Sequence, residues 1–207
     1  MSVVNDEPRR RLSGAARRAL IEQAARDLFA ERGYQAVSMG EIAAAAGVTR
    51  SVLYDHAPSK RALFEALFRA EHAELTERLA AELLGDTPIR ERLTNALDAF
   101  VAYVDEHPIA ARVIADEPFG DEELEVVRQA LHAQTKEALA GWIAADAAGR
   151  FDPQGVREGV IVDAVYGGLV GVAANRRRLP ETPAGTVVDA TAELLWHGLA
   201  PVLGPPA

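Results

Sequence analysis

The chain predicts an all-α fold. Alanine is abundant, apolar residues recur at helical spacing, and β-branched runs bounded by turn signals are scarce. At 207 residues and 49% hydrophobic composition, it can build a core as one large domain or as a small and a medium one.

Residues 1–13 are polar, contain Pro8 and lack periodicity, so they are expected to form a disordered basic arm carrying Arg9, Arg10 and Arg11. A helix over 15–32 follows, with Leu20, Ala24 and Leu28 on one line, Ile21, Ala25 and Phe29 beside it, and Gly33 ending it. Ser38 is placed to cap the next helix, with Glu41 three residues on to close a capping box. Met39, Ile42, Ala43 and Ala46 make one apolar stripe, and Gly47 stands where a helix end commonly needs a left-handed residue. Thr49 can cap a second short helix that turns Val52 and Leu53 inward and leaves Arg50, Ser51, Tyr54 and Asp55 outward. Two such short helices need a larger packed unit, and a helix-turn-helix meets that need.

The run Gly33-Tyr34, Ser38-Met39, Glu41-Ile42-Ala43, Ala46-Gly47-Val48, Leu53-Tyr54 and Pro58-Ser59-Lys60 resembles the DNA-binding segment of the tetracycline-repressor (TetR) family. The resemblance spans about residues 15–65; beyond residue 70 it rests on length, helical content and helix order. It departs at Ala57, where the family usually has Phe; Phe64 or Phe68 is the candidate to fill that space.

Further helices are expected from Pro58-Ser59 to about Leu84, from Pro88 to Glu106, from Pro108 to Ala115, over 121–148, from Pro153 to about Asn175, and over 185–199. That gives nine helices, the count that the resemblance also implies. The expected division is the arm at 1–13, a helix-turn-helix domain at 14–60, a helical effector-binding and dimerisation domain at 61–203, and a tail at 204–207.

Charge divides the same way. Residues 1–60 carry nine Lys or Arg against seven Asp or Glu, or +2, and the remainder carries thirteen against twenty-four, or −11. A basic head on an acidic body favours one orientation on DNA. The chain lacks cysteine, and the N-terminus has no apolar signal-peptide core. The most apolar stretch, 160–174, is interrupted by Asp163 and too short to span a bilayer. A cytoplasmic location is expected.

Candidate DNA contacts are Arg50, Ser51 and Asp55 at base edges, and Arg17, Arg18, Ser38, Thr49, Tyr54 and Lys60 at phosphates. Gly155, Gly159, Gly167 and Gly171 recur at multiples of four and permit close approach of another helix. Gly159, Val160, Gly167, Val170 and Gly171, with Val188, Ala192, Leu195 and Leu199 of the last helix, are the candidate dimer interface, a four-helix arrangement that the resemblance suggests. Tyr103, His107, Arg112, His132, Trp142, Asp163 and Tyr166 bring polar or aromatic character to apolar helices and are candidates to line an effector cavity. Asp163 is read as a buried acid in need of a partner. Arg176, Arg177 and Arg178 are read as following their helix in a solvated loop or a dimer-crossing contact.

The five histidines show no metal-ligand spacing, and no nucleophile elbow, phosphate loop or dinucleotide fingerprint is present, so neither a cofactor nor an enzyme is expected. The resemblance implies a homodimeric repressor that binds pseudo-palindromic double-stranded operator DNA and is released by a small molecule. The alternatives are an architectural or adaptor DNA-binding protein without a small ligand, and a helical-bundle enzyme.

Overall fold

The computed structural model describes residues 13–115, 119–147 and 149–203. Of the arm expected at 1–13, residues 1–12 lie outside them, as does the tail at 204–207, while Ser13 caps the first helix by accepting from the Ala16 amide. Among the described residues there are nine helices and no strand: α1 (Gly14–Arg32), α2 (Met39–Ala45), α3 (Arg50–His56), α4 (Lys60–Leu83), α5 (Ile89–Glu106), α6 (Pro108–Ile114), α7 (Glu122–Asp146), α8 (Val156–Arg178) and α9 (Ala184–Leu203). None is long and apolar enough to cross a membrane.

The chain forms two compact units, the first closing at Phe64 and the second opening at Glu65. The division therefore falls inside α4 rather than at its start, because Leu63 and Phe64 are core residues of the head. There, Phe64 sits 5.0 Å from both Phe29 and Tyr34, edge-on to the first and tilted to the second. Phe68 packs on Phe119 in the second unit instead. Of the two apolar lines on α1, Ile21, Ala25 and Phe29 are buried, while Leu20 is exposed.

In the second unit α5 packs on α8 and α9, and α6 and α7 pack on α8. Phe100, Val101, Ile143, Val165, Leu169 and Leu199 are among the residues of its core. Two helix boundaries differ from expectation. Asp152 accepts from the Gln154 amide through its carboxylate (3.0 Å) and from the Gly155 amide through its carbonyl (2.8 Å). That turn delays α8 until Val156. At its other end α8 continues through all three arginines, since Arg176 is buried and gives two hydrogen bonds to Asp105 of α5, at 2.8 and 2.6 Å. Arg176 is thus an internal tie of the fold, not a loop residue. The last helix passes Pro201 and ends at Leu203, where Arg150 donates to the carbonyls of Val202 (3.2 Å) and Leu203 (2.6 Å).

Candidate nucleic-acid interface and body cavities

Local capping shapes the head. Ser38 Oγ accepts from the Glu41 amide at 3.3 Å, and the Glu41 carboxylate accepts from the Ser38 amide at 2.8 Å. After α2, the Val48 amide bonds to the Ala43 carbonyl and the Gly47 amide to the Ala44 carbonyl, with Gly47 at φ 65°. This is a Schellman motif, which satisfies the last carbonyls of α2 and sets the turn into α3. Thr49 caps α3 by accepting from the Val52 amide at 3.4 Å. Leu53 is buried, and Arg50, Ser51, Tyr54 and Asp55 are exposed on one helix.

Arg17 and Arg18 of α1 line a 550 Å³ groove with Val52, Asp55 and His56 of α3. An acid thus stands opposite the two arginines at the mouth of the recognition face. The Arg50 guanidinium lies over Gly40: a Cβ there would come within 2.6 Å of it. Gly40 went unnoticed in the sequence because its reason is a neighbour on another helix.

Two phosphate candidates have other work in this structure. The Ser38 hydroxyl also donates to Glu41 at 2.6 Å, so its proton is used within the capping box. Lys60 is turned into the head, donating to the carbonyls of Tyr34 at 2.9 Å and Gln35 at 3.4 Å. Arg32 is a clamp that the sequence reading missed; it bonds Glu41 and the Ala36 carbonyl, both at 2.7 Å. Those contacts, with the Ser38 bond first, pull the Glu41 pKa down to about 2.

Two cavities in the body, among the described residues, bear on the effector candidates. The first, about 70 Å³, is lined by leucines, isoleucines, Trp142 and Asp146, the last paired with Arg92. The second, about 60 Å³, is lined by Glu71, His72, His132, Thr135 and Tyr166 together with apolar residues. Leu79, Phe100 and Leu169 belong to both walls. Burial, then the positive charges of Arg128, Lys136 and His72, hold the His132 pKa down to about 4. Burial raises Tyr166 to about 12.

Of the cavity candidates, His132 and Tyr166 line the polar chamber and Trp142 the apolar one. Tyr103 and His107 stand behind Glu71: the Tyr103 hydroxyl donates to its carboxylate at 2.8 Å, and His107 Nδ1 lies 2.7 Å from the same oxygen. Their rings stack at 3.9 Å. Arg112 and Asp163 line neither chamber. Asp163 is not a buried acid; its side chain is 63% exposed and pairs with Lys136 at 2.8 Å. An apolar helix can still have a solvent face, and Asp163 is on it.

Residues 21–67 match the family described as bacterial regulatory proteins, tetR family. The HTH-type transcriptional activator FasR of Mycolicibacterium smegmatis is 34% identical over 109 residues, 53% of this chain and 50% of FasR, so the chain spans about half the length of that relative. A longer match is to MftR of Mycobacterium tuberculosis, named for transcriptional regulation of mycofactocin biosynthesis: 31% identity over 143 residues, 66% of this chain and 70% of MftR. The chain belongs to the tetR family of bacterial regulatory proteins. That family is one of transcriptional regulators, not of enzymes. The crystal structure of FadR from Bacillus subtilis in complex with stearoyl-CoA shares the TetR fold, with TM-score 0.72 and 19% identity over 86% of this chain and 96% of FadR.

On this TetR-family body, the expected dimer residues separate into two groups. Gly159, Val160, Gly167 and Gly171 lie on the exposed face of α8, and Val170 is half-buried. Val188 and Leu199 of α9 are instead buried, with Ala192 and Leu195 packed against the same core. The stripe read from α9 is its inner face; Leu194, 72% exposed, marks the outer one.

Glu71, His72 and Thr135 were not anticipated. A signal existed for the first: Glu71 interrupts the apolar line of Phe64, Phe68, Leu75 and Leu79 on α4.

Proposed function

We propose that this TetR-family chain is a cytoplasmic, ligand-responsive transcriptional repressor, binding pseudo-palindromic operator DNA as a homodimer and released by a small molecule. The exposed face of α3, carried on a doubly capped helix pair, is the observation that carries the reading. Arg50 is suited to guanine, Asp55 to the cytosine amino group, and Ser51 to either edge. Thr49, Tyr54, Arg17 and Arg18 hold the backbone.

Dimerisation through α8 is supported by Val156 and Val160, 89% and 65% exposed, and by the open space over Gly159, Gly167 and Gly171. A twofold dimer matches half-sites about 34–36 Å apart. The effector is assigned to the body cavities, a reading supported by the ligand of the structurally similar FadR. Helix α4 begins at Lys60 in the first unit and continues to Leu83 in the second, which supports a mechanism in which ligand tilts α4 and changes head separation. The ligand must prefer the non-binding state, by about 10⁴-fold for a near-complete switch.

The test is capture of fragmented source-genome DNA by the purified protein at physiological salt, followed by sequencing. Enrichment of a few intergenic pseudo-palindromes is expected. Capture without sequence preference would instead support an architectural role. A reporter behind a captured site fixes the sign of regulation: raised expression on binding would make the protein an activator, as FasR is by name.

A further inference from the structure

The two body cavities carry information about what the effector is. This step rests on the ligand-responsive reading above. One chamber is apolar on nearly every side, with Leu83, Leu93, Leu97, Trp142, Ile143 and Val165 among its lining. Its single acid, Asp146, is held by Arg92. The other chamber gathers the polar groups, and only the side chains of Leu79, Phe100 and Leu169 are common to both walls. A molecule filling both is therefore narrow and unbranched, apolar at one end and polar at the other.

The polar end selects against charge. Glu71 is in its wall, which disfavours an anion, yet its carboxylate already accepts from Tyr103 and lies beside His107, which weakens its pull on a cation. The nearest basic side chains each have an acid: Lys136, over the Tyr166 ring at 5.2 Å, pairs with Asp163 at 2.8 Å, and Arg128 bonds Glu125 at 2.7 Å. Neither lines the chamber. Thr135 Oγ1 lies 3.0 Å from the Leu131 carbonyl and 2.8 Å from His72 Nε2, so the Thr135 hydroxyl and the His72 ring are already partnered. Among the described residues, no hydrogen bond is made by the Tyr166 hydroxyl or the His132 ring, which lie together at 5.4 Å between centroids. They are the donors left to meet a ligand oxygen, and His132 is neutral at pH 7.

We propose that the effector is a linear, uncharged amphiphile whose hydrocarbon tail fills the apolar chamber and whose carbonyl or hydroxyl oxygen bonds His132 and Tyr166. At about 25 Å³ per heavy atom, the ratio set by benzene in an apolar cavity of about 150 Å³, chambers of 70 and 60 Å³ hold about five heavy atoms between them. Butan-2-one and butan-1-ol have that size, and pentan-2-one is one methylene larger. The tail passes between Leu79, Phe100 and Leu169, whose side chains turn aside for it.

The experiment is direct binding to the purified full-length protein at pH 7, without DNA, using 2-ketones and 1-alcohols of three to nine carbons, with pentanoate and pentylamine as charged counterparts. Affinity should rise about fourfold per methylene and level off near five carbons. The charged counterparts should bind at least about tenfold more weakly, because their charge is desolvated without a partner. Leu169→Phe, which thickens the shared wall, should flatten the chain-length series, so that pentan-2-one binds about as weakly as propanone. Equal or tighter binding of either charged compound overturns the uncharged end. A flat chain-length series in the wild-type protein, or no binding by any ketone or alcohol, overturns the two-chamber occupant, whether or not Leu169→Phe folds. DNA release is read separately, on a captured fragment. Binding without release leaves the ligand class standing and sinks the regulatory reading; release by a cell extract with no binding of these compounds does the reverse.

Discussion

Lys60 Nζ donates to the Tyr34 carbonyl at 2.9 Å and lies 4.3 Å from the centre of the Tyr34 ring. One side chain thereby fastens the start of α4 to the loop after α1, using a charge-assisted hydrogen bond and a cation–π contact together. Lys60→Ala should destabilise the protein by about 1–3 kcal/mol, the range for a hydrogen bond to a charged group and the carbonyls it leaves behind. The same substitution should leave the salt dependence of DNA binding nearly unchanged, whereas Arg18→Ala should lower its slope by about one. Urea melts and binding isotherms at several salt concentrations separate the two roles. A full unit of slope lost in Lys60→Ala would return that residue to the phosphates.

Gly40 and Arg50 give a second prediction. A methyl at Gly40 would stand 2.6 Å from the Arg50 guanidinium, the far end of a flexible side chain. Moving it costs little, and Ala gains up to about 1 kcal/mol over Gly within a helix. Gly40→Ala should therefore melt at the same temperature or higher while changing base preference where Arg50 reads. Arg50→Ala should cost about 1–3 kcal/mol at particular base pairs if its contact is bidentate. Selection of bound sites from a random DNA pool decides this: an unchanged preference in both variants removes Arg50 from base reading.

Acid should weaken the molecule in two separate windows. His132, held down to about 4, and His72, also lowered chiefly by burial, are neutral in the folded body. The unfolded chain takes up their protons near 6.5, so the stability present above that pH falls as pH drops from 6.5 toward 4. Glu41 acts lower: its folded pKa of about 2 against 4.5 means that its contribution is present above 4.5 and lost between 4.5 and 2. Melting at pH 7.5 and pH 5 should show a drop in the wild-type protein and a smaller one in His132→Phe. A melting temperature indifferent to pH over that range would contradict the buried neutral imidazole.

Much of this molecule was legible in the order of its residues. Ser38, Glu41, Gly47 and Thr49 form local motifs, closed within a few residues of each other, so sequence reports them directly. The extent of α8 was not legible because its ends are fixed by Asp152 and by Asp105, one a turn chemistry overlooked and the other a partner 71 residues away. Lys60 and Asp163 show the same limit. Residue type marked both as polar sites, but where each points depends on Tyr34 and Lys136, which spacing along one helix does not locate. On α9, periodicity found the apolar stripe correctly and could not say whether the core or a second copy covered it.

The Arg176–Asp105 pair offers a test of the body alone. Arg176 is 8% exposed and also donates to the Thr182 carbonyl, so it joins α8, α5 and the segment before α9. Arg176→Gln should cost about 1–3 kcal/mol, since the planar fork that meets both carboxylate oxygens is lost. Arg176→Lys should recover only part, because an ammonium is a point charge. Complete recovery by Lys, in equilibrium urea unfolding, would show that charge alone matters there.

Gly167 tests the proposed dimer without touching the subunit core. A Cβ built on it meets nothing within 4 Å, and it lies on the same exposed face of α8 as Val160 and Gly171. Replacing helical Gly by Leu gains up to about 1 kcal/mol of helix propensity, so Gly167→Leu should fold at least as firmly as a monomer. If two α8 helices approach closely there, the added side chain holds them apart, and sedimentation should show a shift from dimer to monomer at micromolar concentration. Binding to a captured palindrome should fall with it, while the head, untouched, keeps its base preference on a half-site. An unchanged dimer in Gly167→Leu would mean that this stripe of glycines faces solvent in the assembly, and that the copies meet on another surface.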